Sequence, residues 1–417
     1  MNEHREQMIE IARAARVASR AVARAGAERR AAALNRMADS LAAHEDAILL
    51  ANRADVEDAR EAGVEGPMLE RLLLDEKRLL GMVRAVRDVA ALPDPIGATV
   101  KEWTRPNGLK VSRQRIPLGV IALIYESRPN VTSDAAALCL KAGNAVILRG
   151  GSEAFRSNRA IASALSAGLA AEGLPPEALQ LVPTTAREAM VDLLQCSKEI
   201  DLVIPRGGEA LLDFVTRNSR IPVLQHYKGN CHIFVERTAD PKMALDICYN
   251  SKVQRPGVCN AVETILIDEP IARTFLPALA DRLANVELRG DERARAILPS
   301  LVPATEEDFA TEYLALKCAV AIVDGVGAAA AHIERYGSSH TEAIITRDQQ
   351  AARRFLAEVE SSTVMVNAST RFADGGELGL GAEIGISTSR LHAYGPMGVE
   401  ELTTTRFVVM GDGQVRA

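Results

Sequence analysis

Between Gly119 and Asp348 short apolar runs alternate with amphipathic stretches, and that rhythm dictates the fold class. GVIALIY, AVILRG, LQLVP and IDLVIPRGG read as strands, separated by the helical stretches TSDAAALCLKAG, SNRAIASALSAGLAAEG and REAMVDLLQC. Strands that alternate with helices form a parallel sheet with helices on both faces. The rhythm resumes after HYKGN with the strands CHIFVE, VETILID, CAVAIVD and EAIITRD and the helices DPKMALDICYNSKVQ, ARTFLPALADRLA and GAAAAHIERYG. A second α/β unit is therefore expected. No repeat, low-complexity tract or long linker interrupts the chain.

The flanks have a different texture. Residues 1 to about 92 are rich in Ala, Arg, Glu and Leu with apolar positions at helical spacing, so they predict helices. Pro106-Asn107-Gly108 between two extended runs predicts a hairpin near 100–113. The tail VEELTTTRFVVMG ends in a Thr/Val run that can pair with it, and both would serve as edges for another subunit. A net charge of −6 argues against a nucleic-acid partner. No apolar stretch reaches the ~20 residues that span a bilayer. The charged N-terminus does not read as a signal peptide, and Glu3, Glu6 and Glu10 argue against a transit peptide.

The six cysteines include no Cys-x-x-Cys pair, which excludes the common zinc patterns, and no metal-ligand spacing appears. Unpaired cysteines in a chain this long fit a reducing cytoplasm. Each starts as a buried small hydrophobe. Cys259, in SKVQRPGVCNAVETILI, differs by its place in a loop, between a helix ending near Gln254 and a strand starting near Glu263. From the residues alone, nucleophile and inert core thiol are even readings.

Four stretches carry a resemblance: IPLGVIALIYESRPNVTSDAAALCLKAGNAVILRGGSEA, NSKVQRPGVCNAVETILI, HIERYGSSHTEAI and LHAYGPMGVEELTT. In this order they resemble the gamma-glutamyl phosphate reductase family, the glutamate-5-semialdehyde dehydrogenases of proline biosynthesis, within the aldehyde dehydrogenase superfamily. The resemblance covers the chain from about residue 10 onward. It implies an aldehyde dehydrogenase-like α/β fold with two parallel-sheet, Rossmann-like domains and a small β element for oligomerisation. Residues 1–99 and 116–228 would hold NADPH, and 229–366 would carry catalysis. The 100–115 hairpin and 400–410 strand would form the oligomerisation element, with 367–399 returning to the cofactor domain.

The resemblance makes Cys259 the nucleophile, with Lys252 and Arg255 near enough to favour its thiolate. Attack on the acyl phosphate would expel phosphate, and the thioester would await hydride. Hydrolytic relatives keep a Glu base where QHYKGN places His226. His226 then reads as a base or as a structural or substrate-contacting group. The Cys259 N–H, with Asn130 or Arg128 of YESRPNV, would donate to the oxyanion. Arg128 reads equally as a phosphate or carboxylate ligand, or as a surface salt-bridge partner. Arg255 and His340 are further substrate-binding candidates, and His340 also reads as a loop brace.

Arg149-Gly150-Gly151-Ser152 runs from strand into helix, which suits a phosphate at the helix N-terminus or simply a glycine turn. The superfamily's NAD-preferring members carry Glu where Ser152 stands, so NADPH is expected, with Glu153 adjacent. Arg206-Gly207-Gly208 matches the second cofactor loop. Glu312 resembles the glutamate on the nicotinamide ribose, against a plain surface Glu. The rival activities are a hydrolytic or CoA-acylating aldehyde dehydrogenase, or a scaffold that has lost activity. Association with the glutamate 5-kinase that supplies the acyl phosphate is a further expectation that no motif locates.

Overall fold

The computed structural model describes residues 3–225 and 228–416. It divides into two compact units. The first runs to Gln225 and adds Leu380–Gly385 and the chain from Met397 onward. The second runs on to Gly379 and adds Ile386–Pro396. The expectation that 367–399 returns whole to the first domain is corrected. Only 380–385 and 397–399 do so, because 367–379 is bonded to the second unit's own helices and strands.

In the first unit the helices Glu3–Arg24, Gly26–Ala43, Glu45–Glu61 and Glu76–Ala91 bear out the helical reading of the N-terminal part. Leu34, Met37, Ala38 and Leu41 recur at three- and four-residue spacing and are buried, so packing of one apolar face holds these helices. Against them lies Phe155–Ala171. Its Gly168 lets the two helices approach closely, since a Cβ there would stand 2.5 Å from the Met37 Cα. A four-stranded parallel sheet follows in the order Leu179–Leu181, Ala145–Arg149, Val120–Tyr125, Leu202–Arg206. Its central strands are buried on both faces, which is why they read as continuous apolar runs. The hairpin Thr99–Thr104/Lys110–Pro117 turns at Gly108 (φ 87°), and Thr403–Met410 adds antiparallel to its second strand.

The second unit is a seven-stranded, wholly parallel sheet in the order Val302–Pro303, Glu287–Gly290, Lys317–Val323, Val262–Asp268, Cys231–Val235, Thr341–Ile345, Thr363–Val366. The four inner strands are the predicted ones. The three outer ones are two to four residues long and partly exposed, so they lack the long apolar run that marks a buried strand. Because all seven strands run the same way, every loop that enters a strand lies along one edge of the sheet. The segments before Cys231, Val262, Lys317 and Thr341 are thereby brought together, and that edge carries Cys259. Among the described residues no helix is long and apolar enough to cross a membrane.

Candidate active site

The helix Pro241–Val253 ends six residues before Cys259, and the strand Val262–Asp268 begins three after it. Between them Val258–Ala261 closes a turn, the Ala261 N–H donating to the Val258 carbonyl at 3.0 Å. Five of the six cysteines are buried, whereas Cys259 is half-buried at the turn's tip. Burial pushes the Cys139, Cys196, Cys248 and Cys318 thiols up, and Cys231 well up, so these five are poor nucleophiles.

Buried polar groups clamp this turn from below. Gly229 lies against it so closely that a Cβ would run into the Cys259 carbonyl. The Cys231 thiol donates to that same carbonyl at 3.2 Å, and it lies 3.7 Å from His340 Nδ1. The Gly229 N–H donates to Glu312 Oε1 at 2.9 Å. Asn230 donates through Nδ2 to the Phe309 and Tyr336 carbonyls, both at 2.7 Å. One strand deeper, Glu342 accepts from the His232 N–H at 2.7 Å and faces its Nδ1 at 3.1 Å.

Two expectations are corrected here. Lys252 does not serve Cys259: its ammonium is fully buried and ion-paired to Glu263 at 2.5 Å. Burial pushes the Glu263 carboxyl up to about 7 while Lys252 draws it back, and its other oxygen accepts the Leu314 N–H at 3.3 Å. That bond helps fix Leu314 in the left-handed region (φ 52°), next to Gly257. His340 is 1% exposed, so it is not a substrate ligand; it braces the floor of the turn through Cys231 and Thr341. Glu312 is bonded to the Gly229 loop, which ties it to the cysteine turn.

Sequence reasoning missed Arg371. The short helical turn Thr370–Phe372 is fastened to the cysteine loop by Asn260, whose Nδ2 donates to the Ala373 carbonyl at 2.9 Å. Arg371 Nε donates to Gln254 Oε1 at 2.8 Å. Burial lowers the Arg371 pKa, the neighbouring Arg255 lowers it further, and Asp374, Cys259 and Glu377 oppose the shift. Only the arginine of NASTRF could have flagged it, and no local pattern distinguishes that from a surface charge. Arg255 is exposed. His226 lies outside the described residues.

In the first unit the candidates sit where strands end. Arg149 closes the Ala145–Arg149 strand and donates from Nη2 to the Thr185 carbonyl at 2.8 Å. Burial lowers its pKa, and Glu153 and Glu126 oppose this. The expected phosphate place at the next helix is corrected. A 3-10 turn, Ser152–Ala154, intervenes, and the first amides of Phe155–Ala171 are taken by a buried carboxylate, Asp55. Asp55 accepts from the Ser157 N–H at 2.7 Å, its hydroxyl at 2.6 Å and the Arg156 N–H at 3.3 Å. A helix N-terminus holds one anion well, and here the protein supplies it. Glu153 is engaged too: Oε1 accepts the Ser127 N–H at 2.6 Å and hydroxyl at 2.7 Å, pinning Ser127 at φ 45° beside Arg128.

The second turn is open. Gly208 is the N-cap of Glu209–Asn218, no side chain caps that helix, and a Cβ on Gly208 would meet nothing within 4 Å. Its N–H donates to Glu126 Oε2 at 3.0 Å, and Gly207 lies tight against Glu126. Asn130 begins the helix Asn130–Lys141, its Nδ2 donating to Asp134 Oδ2 at 2.9 Å. Burial pushes Asp134 up to about 6, with Asn130 and Arg206 drawing it back. An amide has two N–H hydrogens, so the bond to Asp134 orients Asn130 without exhausting it. Among the described residues no cluster of three or more His, Cys, Asp or Glu is placed to hold a metal ion.

One parallel-sheet unit with glycine turns after its strands and a second that presents a braced cysteine are the two parts of an aldehyde dehydrogenase. The chain matches the aldehyde dehydrogenase family over residues 1–318 and belongs to it. An acetylating aldehyde dehydrogenase from Geobacillus thermoglucosidasius, 18% identical, shares the fold with a TM-score of 0.69 over 100% of both chains. The relationship is nearer to one branch. A gamma-glutamyl phosphate reductase from Citrifermentans bemidjiense is 55% identical over 99% of both chains. The crystal structure of a gamma-glutamyl phosphate reductase from Thermotoga maritima is 45% identical and has a TM-score of 0.96, covering 98% of this chain and 100% of that one. Within the superfamily the chain belongs with the gamma-glutamyl phosphate reductases, oxidoreductases of proline biosynthesis.

Proposed function

We propose that the chain reduces L-glutamate 5-phosphate to L-glutamate 5-semialdehyde with NADPH, through a thioester on Cys259. The observation that carries this reading is the half-exposed Cys259 on a braced turn, against five buried cysteines. The Cys259 thiolate attacks the acyl carbon; the S–C bond forms, the C–O bond to phosphorus breaks, and phosphate leaves with the electron pair. The floor of Gly229, Cys231 and His340 holds the turn in place during the attack. When bound, NADPH supplies the hydride that reduces the thioester carbon. The C–S bond then breaks and Cys259 regains its thiolate.

On the cofactor side, Gly208 and the uncapped first turn after it suit the pyrophosphate, with Arg206 and Gly207 alongside. Arg149, Gly150, Gly151 and Ser152 would face the adenosine end. There a serine and an arginine accept a 2′-phosphate that a free carboxylate would repel, and Glu153 is turned to Ser127. Asn130 and Arg128 are proposed to meet the substrate at the start of their helix, and Glu312 the nicotinamide ribose. The exposed Phe407, Val409 and Met410 of the terminal strand suit a subunit contact.

The test runs in reverse. With semialdehyde, NADPH should form from NADP⁺ only when phosphate or arsenate is present, and more slowly from NAD⁺. Turnover without phosphate would overturn the phosphate-linked mechanism.

A further inference from the structure

We propose that Arg371 and Arg255 together hold the phosphoryl group of the acyl phosphate while Cys259 displaces it. This deepens the reading of Cys259 as nucleophile and rests on it. The turn carrying Arg371 is fastened by four bonds, two to the helix Pro241–Val253 that leads into the cysteine loop and two to the loop itself. Ser251 and Ser369 share a hydroxyl bond at 2.9 Å, the Thr370 N–H donates to Ser251 Oγ at 3.2 Å, and Asn260 Nδ2 donates to the carbonyls of Ala373 at 2.9 Å and Arg371 at 3.4 Å. So Arg371 is fixed relative to the residue that follows the nucleophile.

Its guanidinium is aimed by one bond, Nε to Gln254 Oε1 at 2.8 Å. Among the described residues its Nη groups have no hydrogen-bond or ion-pair partner, and neither does the Arg255 guanidinium. Asp374 and Glu377 act on Arg371 through space, but neither is hydrogen-bonded or ion-paired to it. Asp374 accepts the Gly376 N–H at 2.9 Å and the Glu377 N–H at 3.4 Å within its own turn. Two like charges held near each other repel, and Arg255 indeed lowers the Arg371 pKa, with Asp374, Cys259 and Glu377 offsetting only part of the shift. An anion between them relieves that repulsion.

The chemistry selects which anion. Guanidinium forks match phosphate oxygens. The phosphoryl group is joined through a single oxygen to the carbon that Cys259 attacks, so its site must adjoin the cysteine. The α-carboxylate lies at the far end of the glutamyl chain. In the forward step the pair stabilises the charge that gathers on phosphate as the C–O bond breaks. In reverse it presents inorganic phosphate to the thioester.

Steady-state kinetics in reverse, with inorganic phosphate varied, test this. Arg371→Gln should raise the KM for phosphate tenfold or more, and Arg255→Gln several-fold, with the KM for semialdehyde changed less than twofold. Arg371→Lys should recover part of the phosphate affinity. Phosphate should protect wild-type Cys259 from alkylation, and protect Arg371→Gln much less. Arg255 is exposed, so its variant decides if Arg371→Gln fails to fold. An unchanged KM for phosphate, or a raised KM for semialdehyde instead, would overturn the assignment. If wild type itself ignores phosphate, the phosphate-linked mechanism fails; if only the variants behave like wild type, this inference alone fails.

Discussion

The two parallel sheets present their candidate residues at opposite ends of their strands. In the first unit Arg149 and Arg206 close strands, and Glu126–Arg128 follow one. That is the usual place for a ligand on an open parallel sheet. In the second unit Gly229, Cys259, Glu312 and His340 all precede strands. The difference shows in the bracing. The first unit's second turn is built from glycines and a helix start that no side chain caps, with the Gly208 N–H donating to Glu126. The cysteine is instead a single side chain on a turn, and buried polar groups of the strands Cys231–Val235 and Thr341–Ile345, with Glu312 from the loop before Lys317, form its floor.

If that contrast is right, damage to the second unit's floor should be the more severe. Lys252→Met strands the Glu263 carboxylate in the core and should cost about 3–5 kcal/mol in chemical denaturation, and the double variant with Glu263→Leu should recover much of it. Gly229→Ala forces the cysteine turn to shift, and kcat should fall on the order of 100-fold in steady-state assays. Asp55→Ala, the matching cut in the first unit, removes the anion from a helix start. It should lower stability by about 2 kcal/mol and leave Cys259 alkylation untouched. A larger effect of Asp55→Ala than of Gly229→Ala on kcat would reverse the comparison.

A separate effect is a pH dependence in the second unit. Burial, then His232 and Arg335, lower the His332 pKa from 6.5 to about 3. Between those values the unfolded chain binds more protons, so stability is full above pH 6.5 and falls as pH drops toward 3. The slope should reach ~1.4 kcal/mol per pH unit. His332→Phe should flatten that window in thermal melts taken from pH 4 to 7.

The fold was legible where burial is continuous. Inner strands such as Val120–Tyr125 and Val262–Asp268 are buried along their whole length and read as apolar runs. The outer strands Glu287–Gly290 and Thr363–Val366 are four residues long and only half-covered, too short to stand out as strands in the sequence. Arg149-Gly150-Gly151-Ser152 and Arg206-Gly207-Gly208-Glu209 look alike in sequence, yet Asp55, some 100 residues earlier, closes the helix after the first. Lys252 read as a free charge because its partner Glu263 lies on the next strand. Arg371 acquires its place only when the chain folds 111 residues back onto Asn260. Long-range polar partners are set by tertiary packing and leave no local pattern.

The central claim is that Cys259 takes an acyl group from phosphate and holds it as a thioester. Intact-mass analysis of enzyme mixed with semialdehyde and NADP⁺, without phosphate, tests it most directly. The account predicts one acyl adduct per chain, located on Cys259, discharged when phosphate is added and absent in Cys259→Ser. Steady turnover without phosphate, or an adduct that persists in Cys259→Ser, would contradict it.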